Sequence, residues 1–526
     1  MFIQRTQRKG TNGKIYQSVV LMENYRQDGK VKHRTIATIT KWPEKVINDL
    51  EKILKGKGVF SLDDMEFSYG KSYGAIKTIK EISRITGITK ALGNGKQAKL
   101  ALIQIAARLI SQGSRNYIAN QWIKNQDVEA VFGIDKFNED DLYKNLIWLS
   151  ENQNKIEKKL YNIRHKDKKS KTIFLYDVTS SYFEGEKNEL ADYGYNRDKK
   201  KGKKQIVIGL LTDSEGYPIS VEVFRGNTTD TKTVSSQLKK LKELFGVETV
   251  IFVGDKGMIK SAQIDEILSD EYKWGYLTTI TKEQINTLIN KGILQLSLFE
   301  DEIVEIQDKD TRYILRRNKY RAEEIKKNRT EKIEYIKNLI SEKNKYLSQH
   351  KKADTEKAKE KIQEKISVLK ISKFINIELK ERILILNIDE QAKQKEAELD
   401  GCYVVKTQVA KKDLSTRDAH DRYKDLSMVE FVFRTAKTTL EEMRPIYVQK
   451  EAQTRGYVFI VMLAYIVSKY IRDATKDLRY THKFIFESLD KIQRLEYKFK
   501  NKTLNIVPKK ILEHQAKIIK TLNIKL

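Results

Sequence analysis

Two carboxylates stand where apolar runs of strand character give out. Asp177 follows the β-branched and aromatic residues of KTIFLYDVTS (171–180), and Asp255 closes TVIFVGD (249–255) ahead of a Lys-Gly turn. A third acid, Glu430, lies in DRYKDLSMVEFVFRTAKTTLEEMRPIY (421–447), where the spacing is helical. Tyr423, Glu430 and Lys437 recur there every seven residues, so on a helix they form one stripe that drifts only about 20° per step. Arg434 is one turn beyond Glu430 on nearly the same face. Such a cation-flanked carboxylate could equally belong to a solvated row of i,i+4 ion pairs. The apolar neighbours Met428, Val429, Phe431, Val432 and Phe433 instead imply a helix packed against a sheet. Three hard oxygen ligands, with six scattered histidines and no His/Cys cluster, suit Mg2+ or Mn2+ rather than zinc. Two such ions about 3.5–4 Å apart could activate a water or 3′-hydroxyl and stabilise the leaving oxygen in an in-line attack on a phosphodiester. On that reading Arg434 and Lys437 hold nearby phosphates, and Tyr423 hydrogen-bonds to or stacks on a nucleotide.

The charge balance suits a polyanionic substrate. The 526 residues carry 101 Lys+Arg against 72 Asp+Glu, a formal net charge of +29 that would repel itself without a polyanion as partner. The surplus could merely solvate surface helices, but it recurs in every segment. Nucleic acid therefore leads, ahead of an acidic membrane surface. A two-carboxylate glycosidase makes no sense of such a charge, and an NTPase would need a phosphate-cradling Gly-rich loop that the sequence lacks. Length predicts three or four domains. The single cysteine, Cys402, excludes an internal disulfide framework, fits a reducing cytosol and reads as a small buried apolar residue. The opening MFIQRTQRKG lacks the apolar core of a signal peptide. The most apolar stretch, YVFIVMLAYIV (457–467), falls short of the roughly 20 residues of a membrane span and reads as a buried helix. The expectation is a cytoplasmic, nucleoid-associated protein with no membrane.

The elements that must position the three acids follow in chain order. Residues 15–39 alternate apolar and polar around Asp28-Gly29, a hairpin signal within an N-terminal module over 1–60. Residues 61–165 read as a helical DNA-binding region, in which Arg108, Arg115, Tyr117 and Trp122 could track a DNA backbone, although aromatics at helical spacing are more often core. The Lys-rich HKDKKSK (165–171) reads as a linker. After the Asp177 strand, KKQIVIGLLTD (203–213) and YPISVEVF (217–224) continue a meander. A GNTTD loop (226–230) and a helix over 231–245 then lead to the Asp255 strand. A right-handed crossover would lay that strand parallel to the first, with Asp177 and Asp255 side by side. A fifth strand is expected at 275–282. Residues 166–282 and 401–475 thus form one mixed α/β domain, split by a charged, largely helical insertion over 283–400. Within the insertion Ile333, Ile336, Ile340 and Leu347, then Ile362, Ile366 and Leu369, predict a helical hairpin that could cover DNA, pair subunits or simply be solvated. GCYVVKT (401–407) is a strand, and 476–526 form a basic C-terminal region.

The β-β-β-α-β order, DVTSSYFEG, GNTTDTKT, VGDKGM and YKDLSMVEFVFRTAK together resemble a DDE transposase of bacterial insertion sequences over about residues 170–470, and more loosely through the N-terminal part. The last of these is similar to the Y-(2)-R-(3)-E-(6)-K signature of one transposase superfamily at Tyr423, Glu430 and Lys437, and the nearest branch resembles insertion-sequence family 1634. Leu426 stands where the signature has Arg, so either Arg434 or Lys424 supplies that charge or the phosphate contact differs. The resemblance implies a ribonuclease-H-like five-stranded mixed sheet with flanking helices. It implies Asp177, Asp255 and Glu430 as the metal-binding catalytic triad, with Mg2+ (or Mn2+) at two ions per site. It also implies endonuclease activity at terminal inverted repeats, joining of the freed 3′ ends to target DNA, and a homodimer on DNA. The alternatives are a metal-dependent nuclease on the same fold and a catalytically silent, domesticated DNA-binding descendant; the intact triad argues against the second.

Overall fold

Apolar runs rich in β-branched residues form the middle of an eight-stranded sheet. In the computed structural model, which describes the chain apart from residues 12, 58–64, 166–171, 199, 301, 439–442, 444–445, 500–501 and 509, these runs are β1 (Thr172–Tyr182), β2 (Gln205–Asp213), β3 (Pro218–Phe224), β4 (Val250–Gly254) and β5 (Gly275–Thr279). Every residue of β2 and β4 is buried, as in strands covered on both faces. Adding β6 (Val304–Asp308), β7 (Thr311–Arg317) and β8 (Cys402–Thr407), the spatial order is β6-β7-β8-β5-β4-β1-β2-β3. β1, β4 and β5 are parallel, whereas β2 is antiparallel to β1 and β3, antiparallel to β2, completes the meander. That arrangement is ribonuclease-H-like, with the five expected strands at its centre. β6 and β7 come from the interval expected to be a helical insertion. Their apolar content is too short to announce a strand: in β7 only Tyr313, Ile314 and Leu315 interrupt the charges, and pairing with β8 buries them.

Helices cover the sheet. α1 (Glu139–Arg164) starts at a reciprocal capping box between Asn138 and Asp141, and α2 (Asp230–Lys239) makes the crossover from β3 to β4. Val234 and Leu238 of α2 pack with Phe174, Tyr176, Phe252 and Tyr276 of the sheet into one core. α3 (Lys319–Gln349) and the helix Thr355–Val368 form the expected hairpin, burying Ile333, Ile336, Ile340 and Leu347 against Ile362 and Ile366. A strand pair, Ile375–Lys380 with Ile383–Ile388, closes over this second core. α4 (Thr416–Lys424) and α5 (Leu426–Lys437) follow β8, and α6 (Glu451–Thr475) ends the series. By length and composition α6 could cross a membrane, but 83% of its apolar window is buried inside the protein, which is the place of a core helix. Arg108, Arg115 and Trp122 are buried as well, and the two guanidiniums lie 5.1 and 4.6 Å from the ring centre of Tyr457 on α6. Core packing, not a DNA backbone, occupies them.

Gly456 lets α6 approach α1: a Cβ there would lie 2.0 Å from the carbonyl oxygen of Leu146. Replacing a helical Gly by Ala ordinarily gains about 1 kcal/mol, but pressing against backbone costs about 1–3 kcal/mol. Gly456→Ala is therefore expected to lower the denaturant midpoint, and an unchanged or higher midpoint would show that the helices part without cost.

The chain divides into two compact units, Met1–Lys71 with Gln493–Lys510, and Ser72–Ile492 with Ile511–Leu526. The second contains everything described above. In the first, the expected hairpin pairs Ile15–Gln27 with Lys30–Thr38, and Asp28 (φ 51°) and Gly29 (φ 77°) supply the two positive-φ residues of its turn. Phe2–Lys9 adds a third strand, and Val19, Ile39 and Ile47 form a small core beneath the helix Glu44–Leu54. A second small sheet joins Met65–Ser72 to Gln493–Phe499 and Lys502–Ile506, drawing part of the basic C-terminal region into this unit. The Lys-rich linker expected at 165–171 falls, apart from His165, outside the described residues.

Candidate active site

Strand register brings the two aspartates together. The parallel ladder of β1 and β4 ends at the pair Tyr176 and Gly254, so Asp177 and Asp255 are the next residues on neighbouring strands. β1 does not end at its acid, as the sequence pattern suggested. It runs on to Tyr182 against β2, because the hairpin partner is longer than β4. Asp177 thus lies where one neighbour stops and the other continues. Each carboxylate accepts a hydrogen bond from the amide that follows it, Val178 N to Asp177 Oδ1 and Lys256 N to Asp255 Oδ1, both at 2.7 Å.

The stretch expected as one helix divides at Asp425, which caps the end of α4 and the start of α5 at φ −61° and ψ −15°. Because that conformation is itself helical, the stripe survives the break. Tyr423 from α4 and Glu430 from α5 line one cleft of 640 Å³ with Asp177, Asp255, Arg197 and Lys424. Leu426, buried at 8% exposure, contributes an apolar patch to the wall. The Tyr423 hydroxyl and Thr279 Oγ1 on β5 are 2.9 Å apart. Burial, and beyond it the carboxylates of Asp255, Glu430 and Asp177, push the Tyr423 phenol up to about 12, so it stays a neutral hydroxyl able to donate.

Burial, followed by the charges of Asp255 and Glu430, pushes the Asp177 carboxyl up to about 7 against the pull of its Val178 bond and of Arg197. Crowded acids of this kind call for a cation. Among the described residues no three His, Cys, Asp or Glu side chains converge into a ready-made metal cage. Hard oxygen donors in an open cleft still fit Mg2+, which typically takes one or two carboxylates and completes its shell with water and substrate phosphate.

Lys437 and Arg434 part company. The Lys437 ammonium donates to Thr179 Oγ1 (2.7 Å) and to the Ser180 carbonyl, and pairs with Asp198 at 3.0 Å, the two side chains being 9% and 3% exposed. It is held inside the protein. Arg434 is exposed on α5 and is not part of the cleft wall. The cleft's guanidinium is Arg197, which sequence reasoning missed. It comes from the loop between β1 and β2, with its amide donating to Ser180 Oγ (3.0 Å) and Nη2 to both oxygens of Asp230 (2.5 Å). The only advance signal was a cation-rich NRDKK run (196–200) after the first acid, and no spacing rule links it to Asp230.

Residues 168–467 match the transposase DDE domain and residues 3–62 match the N-terminal domain of IS1634 family transposases. The first match covers more than half of the sequence, and the chain belongs to the DDE transposases. Within that class its N-terminal match makes it an IS1634 family transposase. No curated protein matches it. A solved piggyBac transposase synaptic complex with hairpin DNA is similar at 11% identity and a TM-score of 0.35, over 79% of this chain and 77% of that one, and a likeness that loose carries no argument. Family membership implies DNA as partner and, in general, the use of divalent metal ions.

Proposed function

We propose that this transposase binds the terminal inverted repeats of its element and, with Mg2+ or Mn2+, cuts DNA and joins the freed 3′ ends to a target. The observation that carries the proposal is the meeting of Asp177, Asp255 and Glu430 in one cleft, from two adjacent parallel strands and the helix that faces them. These three carboxylates would hold two ions. When bound, such ions supply a Lewis acid for the phosphoryl oxygens and a nucleophilic water or 3′-hydroxyl at neutral pH.

The chain's own groups do the rest. Arg197 and Lys424 face the cleft and neutralise phosphate charge there, taking the part that Leu426 gives up in the signature. Tyr423, neutral and anchored beside Thr279, offers a hydroxyl and a ring edge to the nucleotide. Lys437 acts as a positioning residue: bound to Thr179, Ser180 and Asp198, it fixes the Glu430 helix against the Asp177 strand. Arg434, outside the cleft wall, is free to reach the duplex beyond it. Joining two element ends in one event calls for two copies of the chain on DNA.

Two measurements test the DNA side. Affinity for element-end DNA is expected to fall linearly with log salt, by a slope of about 0.9 per phosphate neutralised. Arg197→Ala and Lys424→Ala should each reduce that slope by about one. A slope unchanged in both variants would remove them from the DNA interface.

A further inference from the structure

The GNTTD loop, conspicuous in the sequence, enters the site above only through Asp230, which holds Arg197. It borders a second, smaller pocket of 270 Å³ on the far side of Arg197, reached also by Tyr195, Gln205, Gly257 and Lys260. Arg197 lines this pocket and the catalytic cleft alike, and Gly257 is two residues past Asp255, so the pocket adjoins the carboxylates. Its wall is built for a polar, anionic, partly flat guest. With Arg197 and Lys260 against the one acid of the wall, Asp230, which pairs with Arg197, the wall keeps a surplus of one positive charge. Tyr195 is 81% exposed with its ring 5.6 Å from the Arg197 guanidinium. The N-terminus of α2 opens here, and its cap residue Thr229 makes no side-chain cap hydrogen bond.

Gln205 braces the pocket by tying the loop of Tyr195 to the start of the GNTTD loop. It is 1% exposed, and its amide nitrogen donates to the carbonyls of Tyr195 (3.1 Å) and Gly226 (2.8 Å). Its Oε1 accepts nothing from the described residues.

We propose that this pocket is a second DNA subsite that receives one nucleotide of a strand leaving the catalytic carboxylates, its phosphate between Arg197 and Lys260 and its base against Tyr195. The inference rests on the DNA-cutting function proposed above. The nucleotide could come from the strand being cut or from the target strand.

The experiment uses the full chain and duplexes with the sequence flanking its gene, 5-iododeoxyuridine being placed in turn along each strand. Photocrosslinking is done with Asp177→Asn protein in Ca2+, so that it needs no catalysis, and an adduct on Tyr195 is expected. Tyr195→Ala and Lys260→Glu alter exposed residues, and each should reduce activity roughly tenfold, as the loss of one stacked base or phosphate contact does. A fall in end cleavage assigns the nucleotide to the cut strand. A fall only in joining to a plasmid assigns it to the target. Crosslinks that bypass Tyr195, together with wild-type cleavage and joining in both variants, overturn the subsite. A wild-type protein that binds DNA and crosslinks at Tyr195 but never cuts would count against the catalytic reading and not against the pocket.

Discussion

Asp177→Asn is expected to abolish metal-dependent cleavage of element-end DNA, by about 10³-fold or more, equivalent to about 4 kcal/mol of transition-state stabilisation. DNA binding should change by no more than about twofold, because phosphate contacts elsewhere carry it. Asp255→Asn and Glu430→Gln should behave alike, and normal cleavage by any of the three removes that residue from the site. The same substitution has a second effect, of opposite sign. The folded Asp177 carboxyl, pushed up to about 7, binds its proton more tightly than an unfolded aspartate at about 3.9. Ionising it therefore costs stability, and the cost grows as pH rises from about 4 to about 7. Asparagine bears no such cost. Without metal, Asp177→Asn should melt above wild type at about pH 8, and the two should converge near pH 4. Added Mg2+ should raise the melting temperature of wild type more than that of the variant, because only intact carboxylates bind it well. A metal-free variant that melts below wild type at the higher pH would mean the three acids do not crowd one another.

Asp198→Ala is expected to cost up to about 3–5 kcal/mol of stability, because it takes a carboxylate partner at 3.0 Å from the Lys437 ammonium in a largely buried site. Asp198 also accepts a hydrogen bond from the Tyr182 amide at 3.2 Å, so the loop carrying Arg197 would loosen from the end of β1. Lys437→Met should be destabilising for the mirror reason, whereas combining it with Asp198→Ala should recover much of the loss, since both members of the pair are then gone. Denaturant unfolding of the four proteins gives the coupling directly. If Lys437→Met unfolds like wild type yet binds DNA poorly, Lys437 contacts phosphate after all and its ion pair is incidental.

What could be read from the sequence was local and periodic. Runs such as TIFLYDV and VIFVGD announced strands, GNTTD followed by a helical spacing announced the crossover, and the seven-residue recurrence of Tyr423, Glu430 and Lys437 announced a shared helix face. Handedness rules then implied that Asp177 and Asp255 are neighbours, and the ladder ending at Tyr176 and Gly254 agrees. The insertion's helical hairpin was equally visible, because its isoleucines repeat at helical spacing. The tertiary structure decided what no period encodes. Three residues of apolar content in β7 become a strand only because β8 is there to bury them. Lys437 turns from an offered cation into a buried ion pair because a loop residue far away in sequence, Asp198, arrives beside it. Arg197 enters the catalytic cleft because Asp230 and Ser180 hold it there, each brought near by sheet pairing and crossover. Patterns report which face of an element is apolar, but charges on loops are placed only by the fold that gathers them.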